Sequence, residues 1–167
     1  MTLRTSSLLT LSHVAIISAA IVFTAILAPG PLHAEPPTTP CALLSPLEIK
    51  TVLPTPLLDG KPGNPSDGTT DCTWPDSKGA TRVYLSLNDP GYGYKSLRDS
   101  MVASGRLVPI PGLADDAFFV SSAGNSAALY VLKGKHLLLI TVDGVNFTKV
   151  QNESAEQTLA TQIVAKL

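Results

Sequence analysis

Cys41 and Cys72 are the only cysteines in the 167 residues, and they bracket the stretch least able to form regular structure. Between Thr55 and Thr70 stand Pro56, Gly60, Pro62, Gly63, Pro65 and Gly68. That density of breakers admits neither a helix nor a central strand and predicts a surface loop. If the chain is exported, each cysteine has only the other to pair with, and a bond would close the loop and the helix before it into one ring. Loop-closure entropy for a ring of about 30 residues is worth roughly 3–4 kcal/mol, a large share of the roughly 5–15 kcal/mol that holds a small domain together. The chain is therefore read as organised around Pro40 to Trp74. Cys41 opens the first ordered helix, and Cys72, in Asp71-Cys72-Thr73-Trp74, lies in the first strand.

The amino terminus supplies the export argument. After Arg4, the stretch from Leu8 to Ala28 carries no charged residue and is followed by Pro29-Gly30-Pro31 and Leu32-His33-Ala34. A basic start, an apolar middle and a small-residue exit define a secretory signal peptide, residues 1–34, with cleavage near Ala34. About 20 apolar residues also suffice to span a bilayer, so the alternative is a membrane anchor left uncleaved. Ser12, His13, Ser18 and Thr24 dilute the run and no basic cluster follows it. The mean hydropathy of +0.24 owes its excess to this segment. Removing Arg4 from the 12 basic residues leaves 11 against 13 acidic ones, a net charge of −2. With Lys and Arg dispersed, nothing supplies the counterion release that drives nucleic-acid binding.

Residues 35–40, Glu-Pro-Pro-Thr-Thr-Pro, read as a Pro-rich linker, and residues 41–167 as a single α+β domain. Ser45-Pro46-Leu47-Glu48 is a capping box with proline at the first helical position, and Leu44 can staple onto Ile49, so a helix should run to about Leu53, before Pro54. Trp74, two residues after Cys72, shares its face of the strand and should pack over the sulfurs as core. Thr81 to Leu87 alternates, with Val83, Leu85 and Leu87 inward and Arg82, Tyr84 and Ser86 outward. It should form a hairpin with the Cys72 strand through Pro75 to Gly79. Tyr94, Leu97 and Met101 fall at helical spacing before Gly105. Arg106 to Ile110 contains Pro109 and can only be an edge strand. Strands are expected at Ala117–Val120, Ala127–Lys133 and His136–Val142, the last two joined through Gly134-Lys135. The last of these, apolar on both faces, is the expected central strand. Ser154-Ala155-Glu156-Gln157 offers a second capping box, after which Ala155, Leu159, Ile163 and Leu167 recur every four residues. The sum is an antiparallel sheet of about five or six strands with about three helices packed mainly on one face.

A search for reactive constellations returns little. His136 is the one histidine after Ala34, and a Ser-His-Asp triad built on it would lack any nucleophile elbow. Asp115-Asp116 is the one adjacent acidic pair; it reads either as a calcium or acid/base pair or, more simply, as a turn whose carboxylates accept backbone N–H groups. No pair of metal-ligand histidines, Cys-x-x-Cys or phosphate-binding glycine loop is present, so neither a cofactor nor a metal is called for. Tyr92 and Tyr94 stand where they could line a groove. Asn146-Phe147-Thr148 and Asn152-Glu153-Ser154 match glycosylation acceptors in pattern.

Three stretches in order carry a resemblance: Cys41-Ala42-Leu43-Leu44-Ser45-Pro46-Leu47-Glu48-Ile49, then Cys72-Thr73-Trp74, then Gly112-Leu113-Ala114-Asp115-Asp116-Ala117. Together they resemble small exported bacterial domains of unknown function, found as secreted proteins and lipoproteins and similar to the extracytoplasmic sensor domains of some bacterial serine/threonine kinases. The resemblance spans Cys41 to Leu167. It implies a Cys41–Cys72 disulfide and an antiparallel sheet flanked by helices, and it brings no catalytic residues. Ala114 stands where such domains often carry a second glycine, and the lipoprotein cysteine is missing, which favours a soluble form.

The resulting expectation is a secreted or periplasmic domain that binds a small ligand, an envelope component or a protein partner without catalysis. The alternatives are a secreted hydrolase with a site around His136 and Asp115 or Asp116, and a subunit of an envelope complex docking through an edge strand or the Pro/Gly-rich loop.

Overall fold

Proline opens both of the first two helices in the computed structural model, which describes residues 39–64, 70–91, 93–121 and 126–167. The signal-peptide segment, most of the linker, residues 65–69 of the Pro/Gly-rich loop, Tyr92 and residues 122–125 lie outside those residues. Helix α1 is the single turn Pro40–Leu43 and α2 is Pro46–Val52. Pro40, read above as the end of the linker, is already helical. Ser45 and Glu48 form the expected capping box: the Glu48 N–H donates to Ser45 Oγ at 3.3 Å and the Ser45 N–H to Glu48 Oε2 at 2.8 Å. Leu44 and Ile49 are both buried beneath it, as the staple requires.

The chain then builds β1 (Lys61–Pro62), β2 (Thr70–Pro75), β3 (Thr81–Asn88), α3 (Gly93–Ala103), β4 (Leu107–Pro109), β5 (Asp116–Ser121), β6 (Ala127–Lys133), β7 (His136–Gly144) and α4 (Lys149–Val164). The strands form one antiparallel sheet in the order β1-β2-β3-β7-β6-β5-β4. Among the described residues there are seven strands and four helices, against the five or six and three expected. The extra strand, β1, has two residues and exists only because Lys61 and Pro62 lie opposite Thr73 and Cys72. The extra helix, α1, is one turn ended by the extended Leu44. Strand β7 is the middle of the seven, paired with β3 along eight residues and with β6 on its other side. Pro109 lies in the outermost strand at one edge and Pro62 in that at the other. Short edges carrying proline are poor templates for pairing with a second sheet.

Register assigns the faces. Cys72, Leu85, Ile140, Leu129 and Phe119 stand across from one another in turn along one row, flanked by Trp74, Val83 and Val142 and by Leu87, Leu138, Val131 and Ala117. This face is the core, closed by Leu43 of α1, Ile49 of α2 and Ala155, Leu159, Ala160 and Ile163 of α4. Large side chains of this kind contribute about 1.5–3 kcal/mol each when fully buried. Cys41 and Cys72 are disulfide-bonded, and Trp74 is fully buried beside the bond: a Cβ built on Gly60 would meet both the indole and Cys72 Sγ.

Two details depart from the expected pattern. Helix α3 lies on the opposite face, where Tyr94 packs on Phe118 with ring centroids 6.1 Å apart and Phe118 stacks on Tyr130 at 5.4 Å. No residue of α3 is fully buried; Tyr94, Leu97 and Met101 form a half-buried seam. Ser86, expected outward, is buried on that same face. Helix α3 ends as Gly105 predicts: with φ +67° there, the N–H groups of Gly105 and Arg106 return to the carbonyls of Val102 and Met101 at 3.0 Å each, a Schellman closure. No helix among the described residues is long and apolar enough to cross a membrane.

Candidate functional site

The sequence-marked residues are found in structural roles. Asp115 Oδ2 accepts the Gly134 N–H at 2.6 Å and so ties its turn to the β6–β7 hairpin. Asp116 Oδ2 accepts from the Tyr94 hydroxyl and from Arg98 Nε, each at 2.7 Å. The two carboxylates thus serve different elements. Burial alone would lift the Asp116 pKa, but Tyr94 and Arg98 outweigh it and hold the carboxyl below its usual range, while burial first and Asp116 second push the Tyr94 phenol upward. His136 is half-buried at the start of β7, opposite Lys133. Among the described residues no serine hydroxyl and neither aspartate is hydrogen-bonded to it, and no group of three or more His, Cys, Asp or Glu could hold a metal ion.

A concave feature lies on the other side, between α2 and α4. A groove of about 560 Å³ is lined by Thr51, Val52, Leu53 and Pro54 from the end of α2, by Phe147, and by Val150, Gln151, Ser154, Ala155 and Thr158 of α4. Its volume falls in the range of small-molecule sites. Sequence places these residues together for simple reasons. Pro54 ends α2, and Thr148 starts α4 with a capping box, its N–H donating to Gln151 Oε1 at 2.8 Å and the Gln151 N–H to Thr148 Oγ1 at 3.3 Å. The helix therefore begins at Lys149, six residues before the Ala155 start that the Ser154 box predicts, and Val150, Gln151 and Ser154 of that added stretch line the groove. A salt bridge, Lys166 Nζ to Glu48 Oε1 at 2.6 Å, together with Lys166 Nζ to the Leu43 carbonyl at 2.6 Å, ties the segment after α4 to α1 and α2.

No family model matches the chain, and no curated protein and no solved structure matches it.

The groove lining contains no charged residue. Its hydroxyls are partly engaged: Thr51 Oγ1 donates to the Glu48 carbonyl at 2.6 Å and Thr158 Oγ1 to the Ser154 carbonyl at 2.8 Å, so neither has a proton left to offer. The result is an uncharged, largely apolar trough edged by Ser154 and Gln151. Of the two glycosylation triplets, Asn146 is exposed and Asn152 is buried, so only the first is open to modification.

Sequence reasoning missed the groove and also missed Glu156. This side chain is fully buried on the sheet-facing side of α4, and its Oε1 accepts the Val142 N–H at 2.8 Å. Burial, followed by the charges of Asp143 and Glu153, pushes its pKa up to about 8 against the opposing Val142 bond. A signal existed: Asn152, Glu156, Leu159 and Ile163 follow an i, i+4, i+7, i+11 stripe, the spacing of an inward helix face.

Proposed function

We propose that this chain is an exported, non-enzymatic binding domain of the secreted or periplasmic type, and that the groove between α2 and α4 is its binding site. The observation that carries the reading is the groove itself, with Val52, Leu53, Pro54, Phe147, Val150 and Ala155 around an uncharged trough of small-molecule size. The disulfide supports an oxidising compartment, and the resemblance to small exported bacterial domains supports the same location. The ligand class is apolar and uncharged, since a charge left in such a trough would lose its hydration without gaining a partner. Short, proline-bearing edges leave the envelope-subunit alternative with less surface to use, and among the described residues no serine hydroxyl or aspartate is hydrogen-bonded to His136 to favour hydrolysis.

The test is titration of the purified, oxidised protein with the neutral fluorophore N-phenyl-1-naphthylamine, alongside Val150→Glu. Val150 is 73% exposed, so the substitution leaves the core intact while placing a carboxylate in the trough. We expect saturable binding to the parent chain and a loss of at least about tenfold in the variant, the equivalent of about 1.4 kcal/mol. No saturable binding, or binding unchanged by Val150→Glu, overturns the assignment.

A further inference from the structure

Helix α4 is seated on the sheet by different chemistry in its two halves: Lys149 Nζ at its N-terminal end donates to Ser121 Oγ of β5 at 3.0 Å. Its C-terminal half buries Leu159, Ala160 and Ile163, and Lys166 just beyond it is bonded to Glu48 and the Leu43 carbonyl. Its N-terminal half buries Asn152, Ala155 and Glu156, two polar side chains and one methyl group. Of the groove residues on α4, Val150, Gln151, Ser154 and Ala155 belong to that half.

Glu156 sits where the sheet is incomplete. The β6–β7 ladder ends at the Leu129–Ile140 pair, so β6 offers Val142 no backbone partner, and Glu156 Oε1 takes its N–H instead. Oε2 is buried with no hydrogen-bond partner among the described residues. We propose that Glu156 is a proton-operated latch: its neutral carboxyl group seats the N-terminal half of α4 by completing the β7 ladder at Val142, and loss of the proton releases that half and with it one wall of the groove.

Beyond the Val142 N–H, the surroundings offer an ionised Glu156 no cation. On α4, Glu153 has the same sign and is paired with Lys149 at 3.7 Å. On β7, Asp143 is bonded to Arg82 at 2.9 Å, and His136 lies at the far end of the strand, six residues from Val142 and so about 20 Å away. On β6, Lys133 is at that same far hairpin and Tyr130 belongs to the opposite sheet face. On α2, Glu48 is paired with Lys166, and Lys50 is exposed. An anion at position 156 would be buried, unpaired and in the field of two further carboxylates, which is the costly arrangement. The sign follows from linkage. The acid is neutral in the seated state up to about pH 8 and ionises at the ordinary carboxylate value of about 4.5 once released. Release therefore becomes up to about tenfold easier per pH unit across that interval.

The latch stands independently of what the groove binds, and its test reads the helix. Amide hydrogen exchange of the oxidised full chain, corrected for intrinsic rates, is measured from pH 5 to pH 9 at Val142 and at residues 152–158, with Leu85 of β3 as the internal control. We expect opening at Val142 and the helix to rise at least about a hundredfold relative to Leu85 between pH 5 and pH 8, and Glu156→Gln to abolish that rise while keeping a carbonyl oxygen for Val142. A flat profile in the parent chain, or the same rise in the Gln variant, overturns the latch. If Glu156→Gln does not fold, the Glu156 carboxyl carbon shift decides in the parent chain: titration near pH 8 in step with Val142 opening supports the proposal, and titration in the ordinary carboxylate range refutes it.

Discussion

Opening the Cys41–Cys72 bond tests how the domain is held together, because its contribution divides into two measurable parts. The cysteines are 31 residues apart. Loop-closure entropy of about −2.1 − 1.5R ln n gives about −12 cal/mol/K for that ring, or about 4 kcal/mol at 25 °C. The second part is packing. Cys72 is fully buried beside Trp74 and Gly60, whereas Cys41 is half-buried. Cys41→Ala therefore removes the ring and little else, while Cys72→Ala also leaves a sulfur-sized gap against the indole, worth about a further 1 kcal/mol.

Urea unfolding with linear extrapolation separates the two. Reduced parent chain and Cys41→Ala should coincide, each about 3–4 kcal/mol less stable than the oxidised protein and with a larger m, since an unlinked denatured chain exposes more surface. Cys72→Ala should lie below both. The ring encloses α1, α2 and β1 and leaves the β3-β7-β6 centre of the sheet outside it, so hydrogen exchange in reductant should rise first in α1, α2 and β1. An unchanged midpoint in reductant, with both thiols shown free by mass, would refute the reasoning.

Two further substitutions probe the same neighbourhood and the tie between α2 and the segment after α4. A Cβ at Gly60 would stand 2.6 Å from Trp74 Nε1 and 2.7 Å from Cys72 Sγ; Gly60→Ala should cost about 1–3 kcal/mol by forcing the buried indole or the disulfide to move, and a thermal melt indistinguishable from the parent's would show that the contact yields freely. At Glu48, the Lys166 ammonium first, and then the Ser45 N–H and hydroxyl, lower the pKa from 4.5 to about 2. A carboxylate depressed in the folded state stabilises above the unfolded value and loses that contribution as pH falls toward 2. Glu48→Gln should therefore flatten the acid limb of urea midpoints between pH 2 and pH 5, and an acid limb identical to the parent's would remove Glu48 from the account.

What the sequence made legible was written in local chemistry. The Ser45–Glu48 box, the Cys72–Trp74 spacing, the Gly134 turn and the doubly apolar run of β7 each act within a few residues, and each is found where its pattern placed it. Strand β1 could not be read that way, since Lys61-Pro62 has no strand character of its own and pairs only because the chain is brought back to β2. The side of the sheet taken by α3 was also hidden: the stripe Tyr94, Leu97, Met101 says that a helix has an apolar face, not which layer receives it. The run Phe118-Phe119-Val120 held that information, because a strand buried on both faces needs a cover on each. The start of α4 was misplaced for a related reason. Thr148-Lys149-Val150-Gln151 and Ser154-Ala155-Glu156-Gln157 satisfy the same capping rule, and the apolar stripe begins only after the second.

The misplaced helix start and the missed groove have one physical cause. A helix half seated by Asn152 and Glu156 shows no hydrophobic period, so pattern reading assigns it to solvent or to a loop. That half seals the sheet through the Val142 bond and walls the groove. Apolar seating is read easily because it depends on residue type alone, whereas polar seating depends on a partner far away in sequence, here 14 residues before Glu156 in a different element. It is also the kind of seating that pH can reverse. Burial of Leu159 and Ile163 is indifferent to protons, while the buried seat of Glu156 becomes costly once its carboxyl ionises. On this argument the segment least legible in the sequence is the part of the domain most able to respond to its surroundings. Replacing Glu156 by an apolar residue should make the helix both easier to predict and unable to open with pH.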